Sequence, residues 1–290
     1  MASDFRRSLS LPCDHDDDAS RPRHARSSSV PFPSHPAISH LHHLISVLRF
    51  WPSGERAPGE RVAAVLLDVA RLHAALDDLL HLPLARDPLR RPSASAWADR
   101  ILDDFLRLAD AHGSFRTAVL ALEQLHSEVR SSIRRRDAGR LASALRGHRR
   151  VEKDLARLAA AVRDLAGKGA TPLAWISSGD VDVARVLREA VTETATASAF
   201  VFTAVAAVSA EASTAAGSTG SLGSSSVVGA VLRKLRKRGA DAETEVVALE
   251  RLKAAEELMG GLTETGISER VFRSLMNARV SLLNILTPSL

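Results

Sequence analysis

The sequence predicts an all-α protein, an elongated antiparallel bundle of five to seven helices behind a disordered N-terminal tail. Three observations predict it. Apolar residues recur at intervals of three and four through most of the chain after residue 37. No stretch shows the apolar–polar alternation and β-branched enrichment of a half-buried strand. With eight Phe, three Trp and no Tyr, the core must be built from Leu, Val and Ala, which favour or tolerate helix. Hydrophobic residues make up 45% of the 290, enough for a sizeable core, so residues 38–290 are expected to form a single domain.

Taken in order, residues 1–37 cluster Ser, Pro, Arg and Asp without apolar period and are expected to be disordered. "AISHLHHLISVLRFW" predicts a short helix ending at Trp51, before Pro52. Val62, Val65, Val69, Leu72, Leu76 and Leu79 predict a second, which the proline-rich "HLPLARDPLRRP" cannot continue. The clearest signal is the stripe Trp97, Ile101, Phe105, Leu108, His112, Phe115, Val119, Leu122, His126, Val129 and Ile133. It advances 36 residues in ten steps, the α-helical period. One helix, or two in line, of roughly 55 Å is expected there, capped by Ser93 or Ser95. Leu141, Leu145, His148, Val151, Leu155, Leu158, Val162 and Leu165 predict another, ending at "GKG".

A helix from about Val181 to Ala212 comes next. Its 17 uncharged residues between Glu193 and Glu211 fall short of the roughly 20 that span a bilayer, so it reads as a buried bundle helix. "GSTGSLGSSS" at 217–226 reads as a flexible linker. Beyond it are expected a short basic helix, Val227 to Leu235, a helix over 241–262, and a last one from Ser268 to Leu286.

A single cysteine, Cys13, rules out an intramolecular disulfide and a multi-cysteine metal site. A cytoplasmic protein is expected, since the first residues also lack the apolar run of a secretion signal. The Ser- and Arg-rich start is shared with plastid transit peptides, but the acidic "DHDDD" at 14–18 is foreign to them. Asp77–Asp78 and Asp103–Asp104 are neighbours that diverge by about 100° around a helix, so they read as solvated faces rather than catalytic pairs. No phosphate loop, nucleophile elbow or metalloprotease helix is present. His35, His40, His42 and His43 have no fixed partner spacing and read as polar entry residues. His112 and His126 lie on the apolar stripe and are expected to be packed or snorkelling. No catalytic residue, metal or cofactor is assigned, and an enzyme is not expected. "IRRRDAGRLASALRGHRR" offers charge for phosphates, but without stacking aromatics or a reader motif it predicts no specific nucleic-acid partner.

The tail writes one short phrase twice. Arg7, Ser10 and Pro12, then Arg26, Ser29 and Pro31, place Arg three residues before a serine and Pro two after it. Basic-directed kinases and 14-3-3-type phosphoserine readers recognise this pattern, so these six residues are the candidate phosphorylation and docking sites. The two serines stand 19 residues apart, at most about 65 Å, and can reach both grooves of one dimeric reader. Near the other end, Arg233, Lys234, Arg236, Lys237 and Arg238 sit among Val228, Val231, Leu232 and Leu235. Segment 227–238 is thus a candidate for peripheral contact with an anionic membrane surface, and "RKLRKR" also resembles a nuclear import signal.

Four phrases resemble the plant BYPASS-related family: "RSSSVPFPSHP", "LHAALDDLLHLPL", "WADRILDDFLRLADAHGSFRTAVLALEQLHSEVRSSIRRRD" and the C-terminal "NARVSLLNIL". The resemblance runs from about Arg26 to Leu286. It implies a helical protein without established enzymatic residues, acting in root and shoot development through restraint of a root-derived, carotenoid-related mobile signal. A non-enzymatic regulator that docks proteins is therefore expected, with a peripheral membrane or trafficking adaptor using 227–238 as the alternative. The chain departs from the family in its Ala- and Arg-rich character and in the "GSTGSLGSSS" insert.

Overall fold

Local chemistry sets the helix boundaries. The computed structural model describes residues 35–50, 58–169, 181–220 and 230–287, and at 169, 181, 219–220 and 230–242 the backbone only. Helix α1 (Pro36–Arg49) opens on a proline, where no N–H is needed, and His35 Nδ1 accepts the Ala37 N–H at 3.2 Å. After α2 (Pro58–His81) and the short α3 (Pro83–Leu89), a 3₁₀ turn at Pro92–Ala94 feeds α4 (Ser95–Arg135). Arg136, with φ +54°, ends α4, and the Asp137 N–H reaches back to the Ser132 carbonyl at 3.0 Å in a Schellman-type turn. Asp137 Oδ1 in turn accepts the Arg140 N–H at 3.0 Å and starts α5 (Ala138–Gly169). The described chain is completed by α6 (Val181–Gly220), α7 (Ala230–Glu264) and α8 (Ile267–Leu286).

The class is all-α, with no strand among the described residues. Among the described residues there are eight α-helices, one of which, α3, forms in the proline-rich stretch where none is expected. Pro83 takes its first position and Pro88 its last turn, so a seven-residue helix loses little. The two helices expected over 227–235 and 241–262 are one, α7. Gly239 costs only about 1 kcal/mol against Ala, too little to break it. α5 runs through "GKG", and α6 takes the first four residues of the expected linker. Ala94, not Ser93 or Ser95, holds the N-cap position of α4, because the 3₁₀ turn leads straight into the helix. Pro36 and Ala37 belong to α1 rather than the tail, and residues 1–34, Trp51 and 221–229 lie outside the described residues.

α4 is 41 residues and about 60 Å long. α5 folds back along it after two residues, and α6 returns along α5. α7 and α8 lie end to end along α4 as one broken rod. Gly113 faces Phe272, Arg116 pairs with Glu269, the Thr263 hydroxyl lies 3.4 Å from Glu123 Oε2 and Arg130 donates to Glu256 at 2.7 Å. Numbers rise on one side as they fall on the other, so one antiparallel register continues across the break at Thr265–Gly266. α2 packs against α1, α6 and α8, and Ser281 donates to Asp77 at 2.5 Å.

The stripes meet in a large cluster that includes Leu41, Leu66, Leu76, Phe105, Phe115, Leu155, Phe202 and Leu275. Each such side chain contributes about 1.5–3 kcal/mol on leaving water. A second, smaller cluster (Val129, Ile133, Leu141, Ala144, Ala212, Ala216, Leu252 and Ala255) fills the end near the α4–α5 turn. By length and composition α6 could cross a membrane over Asp182–Ser218, yet half of its most apolar stretch is buried by the other helices.

Glycines test these boundaries with opposite signs. Gly260 and Gly261 lie inside α7 with open space where a Cβ would stand. Ala at either is expected to stabilise the protein by about 1 kcal/mol through helix propensity and a stiffer unfolded chain. Gly266 has φ +59°, so Gly266→Ala is expected to cost about 1 kcal/mol, and Arg136→Gly to gain a similar amount. Urea unfolding of the four variants measures this. A Gly266→Ala variant as stable as Gly260→Ala would show that the α7–α8 break is not left-handed.

Candidate functional site

Helix period gathers polar groups that the linear sequence scatters. On α6, Thr194, Ser198, Phe202, Val205, Ser209 and Ser213 recur at intervals of three and four and share one face. That face meets histidines from three other helices, His73 of α2, His112 of α4 and His148 of α5, and these three and His126 of α4 are fully buried. His73 Nε2 lies 2.9 Å from the Thr194 hydroxyl, His112 Nε2 2.8 Å from that of Ser198, and His148 Nδ1 3.1 Å from that of Ser209. Ser198 donates its own proton to the Thr194 carbonyl at 2.7 Å. His112 must therefore donate from Nε2, which leaves its Nδ1 bare. One turn beyond Ser209, Ser213 donates to Glu152 Oε1 at 2.9 Å.

His126 lies over His148 with ring centroids 4.6 Å apart, and neither of its nitrogens has a partner among the described residues. With Ser209, this pair forms a polar layer between the two apolar clusters. Leu122, Leu155 and Val205 belong to the larger one on one side, Val129, Ala144 and Ala212 to the smaller one on the other. Aromatic rings pack the remaining imidazoles: Phe105 stands edge-on to His73 at 5.6 Å, and Phe202 to His112 at 5.3 Å.

Burial holds all four imidazoles well below their ordinary 6.5. His73 and His126 fall to about 3, each pushed further by its neighbour, His112 and His148 respectively. His112 and His148 fall to about 4, the Leu125 carbonyl opposing the shift at His148. Burial keeps these groups neutral near pH 7. They can fix register. Sliding α6 by one turn toward its N-terminus would set Phe202 against His112, and sliding it the other way would set Ala190 against His73 and Val205 against His148. Either slip leaves at least one buried imidazole unmatched.

A charged cleft of about 330 Å³ lies where α4, the end of α5 and the start of α6 converge, with Trp97, Asp104, Arg107 and Arg188 among its walls. Burial raises the Asp104 pKa, while burial and then Arg100 lower that of Arg188. Asp103 and Asp78 are exposed and Asp104 and Asp77 half-buried, so neither neighbouring pair converges. Among the described residues no group of three or more His, Cys, Asp or Glu is placed to hold a metal.

Of the residues singled out from sequence, Arg7, Ser10, Pro12, Arg26, Ser29 and Pro31 lie outside the described residues. Arg233, Lys234, Arg236, Lys237 and Arg238 fall in the first turns of α7, and their side chains also lie outside them. His112 and His126 are packed. His73 and the α6 hydroxyls escape a reading of single stripes. The available signal was the spacing of four in Thr194–Ser198 and Ser209–Ser213, and in Val69–His73.

No curated protein and no solved structure matches the chain. A family model does match, over residues 66–285, a span that contains every histidine–hydroxyl contact. By that match the chain belongs to the BYPASS-related family, whose model is described as Protein BPS1.

Proposed function

We propose that this chain is a non-enzymatic plant regulator of root and shoot development, restraining a root-derived mobile signal by docking proteins in the cytoplasm. Family membership supports the developmental setting. The non-catalytic part rests on the buried imidazoles. Three of the four, His73, His112 and His148, are bonded to hydroxyls of α6, a structural use of the side chain otherwise suited to proton transfer near neutrality. Docking falls to the tail, where phosphate on Ser10 and Ser29 gives a 14-3-3-type reader charge and acceptors to grip. Capture of a 14-3-3 protein by the phosphorylated full chain is expected to exceed that by Ser10→Ala/Ser29→Ala by about tenfold or more, since both grooves act together. Equal capture of the two ends the idea.

A second reading, a peripheral membrane adaptor, is favoured by one observation. The first turn of α7 carries no acidic residue, and five cations follow at once, where the helix dipole disfavours them. An anionic surface would relieve that repulsion. Flotation on phosphatidylserine vesicles should be lost when Arg233, Lys234, Arg236, Lys237 and Arg238 become Gln, and unchanged flotation removes this reading.

A further inference from the structure

We propose that the α4–α5 turn carries a binding cleft for a phosphorylated polyol, a small ligand bearing both phosphate groups and free hydroxyls. Ser127, Ser131, Ser132, Arg135, Arg140 and Ser143 line a cleft of about 460 Å³ between the last turns of α4 and the first of α5. That volume falls within the range of small-molecule sites, about 300–1,000 Å³. Elsewhere in the bundle helical hydroxyls fold back onto the carbonyl four residues earlier, as those of Thr117, Thr196 and Thr203 do. Among the described residues nothing bonds to the four cleft hydroxyls, which leaves them as donors for a ligand.

The charges fit phosphate. Arg140 is positioned by Asp137 at 3.4 Å, and Arg135 beside it is exposed with no ion pair among the described residues. Guanidinium groups match phosphate oxygens in pairs, and serine hydroxyls complete the shell. Arg134, Arg136, Arg146, Arg149 and Arg150 are likewise exposed and unpaired among the described residues, a local field that concentrates anions at this end. Glu128 is the discriminating wall. Its carboxylate repels bare phosphate but accepts from a hydroxyl, which selects a phosphorylated polyol over inorganic phosphates.

Calorimetric titration of the full chain with inositol trisphosphate tests this, with pyrophosphate as the hydroxyl-free comparison. Saturable binding is expected, weakened about tenfold or more by Arg135→Gln/Arg140→Gln and by about threefold to tenfold by Ser131→Ala/Ser132→Ala. Arg157→Gln, elsewhere on α5, should leave it within about twofold, as a solvated charge does. If the buried Ser132→Ala disturbs folding, Ser127→Ala/Ser143→Ala, both exposed, gives the same reading. No saturable binding, or binding blind to the serines and equally reduced by Arg157→Gln, overturns the site. Pyrophosphate binding as tightly as the trisphosphate overturns the polyol assignment. Vesicles holding phosphatidylinositol bisphosphate separate the sources. Capture competed by the soluble trisphosphate supports the cleft with a lipid headgroup, and no capture supports it with a free ligand. Capture that the trisphosphate cannot compete counts against it.

Discussion

Lowering the pH from about 7.5 to about 5 is expected to remove much of the stability of this protein. In the unfolded chain His73, His112, His126 and His148 titrate near 6.5; in the fold burial holds them at about 3 to 4. Below about pH 6.5 the unfolded chain binds protons that the fold refuses, so stability falls as the pH falls. The loss begins near 6.5 and is complete only at the folded values. At pH 5 each buried imidazole is expected to cost about 1–2 kcal/mol, and the four about 4–8 kcal/mol, against the roughly 5–15 kcal/mol that hold a domain together. Urea midpoints across this range measure it. His126→Leu/His148→Leu should flatten the dependence by about half and raise stability at low pH, because it also removes two unpartnered nitrogens of His126. A midpoint that does not move would mean that the imidazoles reach solvent.

What the sequence reveals of this fold follows from what repeats locally. All eleven residues of the Trp97–Ile133 stripe are buried, as are the six from Val62 to Leu79, because one buried face returns every 3.6 residues and writes itself into the chain. The α3 helix leaves no such mark, since one buried pair, Ala85 and Leu89, is too short to show a period. The histidine–hydroxyl contacts are hidden for a different reason. Their partners stand 121, 86 and 61 residues apart, and a single sequence records which face a residue lies on, not what that face meets. The serine cleft is intermediate. Ser127 and Ser131 share a face by spacing, but Ser143 joins them only once the Arg136–Asp137 turn has folded α5 back. The tail motifs lie outside the described residues, and they are read from the sequence alone because a kinase or reader acts on extended chain.

Truncating Phe202 to Ala is expected to cost about 3–5 kcal/mol at neutral pH. Phe202 is fully buried on the hydroxyl face of α6, stacks on Phe115 at 4.6 Å and 25°, and meets the edge of His112. Its ring packs against the His112 imidazole, whose Nδ1 is buried with no partner among the described residues. Removing it opens a cavity with a polar wall, the kind that admits water, and a hydrated imidazole regains its ordinary pKa. The variant should therefore be much less stable at pH 7.5 yet lose less on acidification, so that its deficit narrows by about 1–2 kcal/mol at pH 5. Phe202→Leu, which keeps most of the apolar volume, should cost about 1–2 kcal/mol and retain the full pH dependence. A deficit that is the same at both pH values would mean that the cavity stays dry and that Phe202 contributes packing alone. A negligible deficit at neutral pH would place the ring outside the core and break the link between the hydroxyl face of α6 and the histidines it holds.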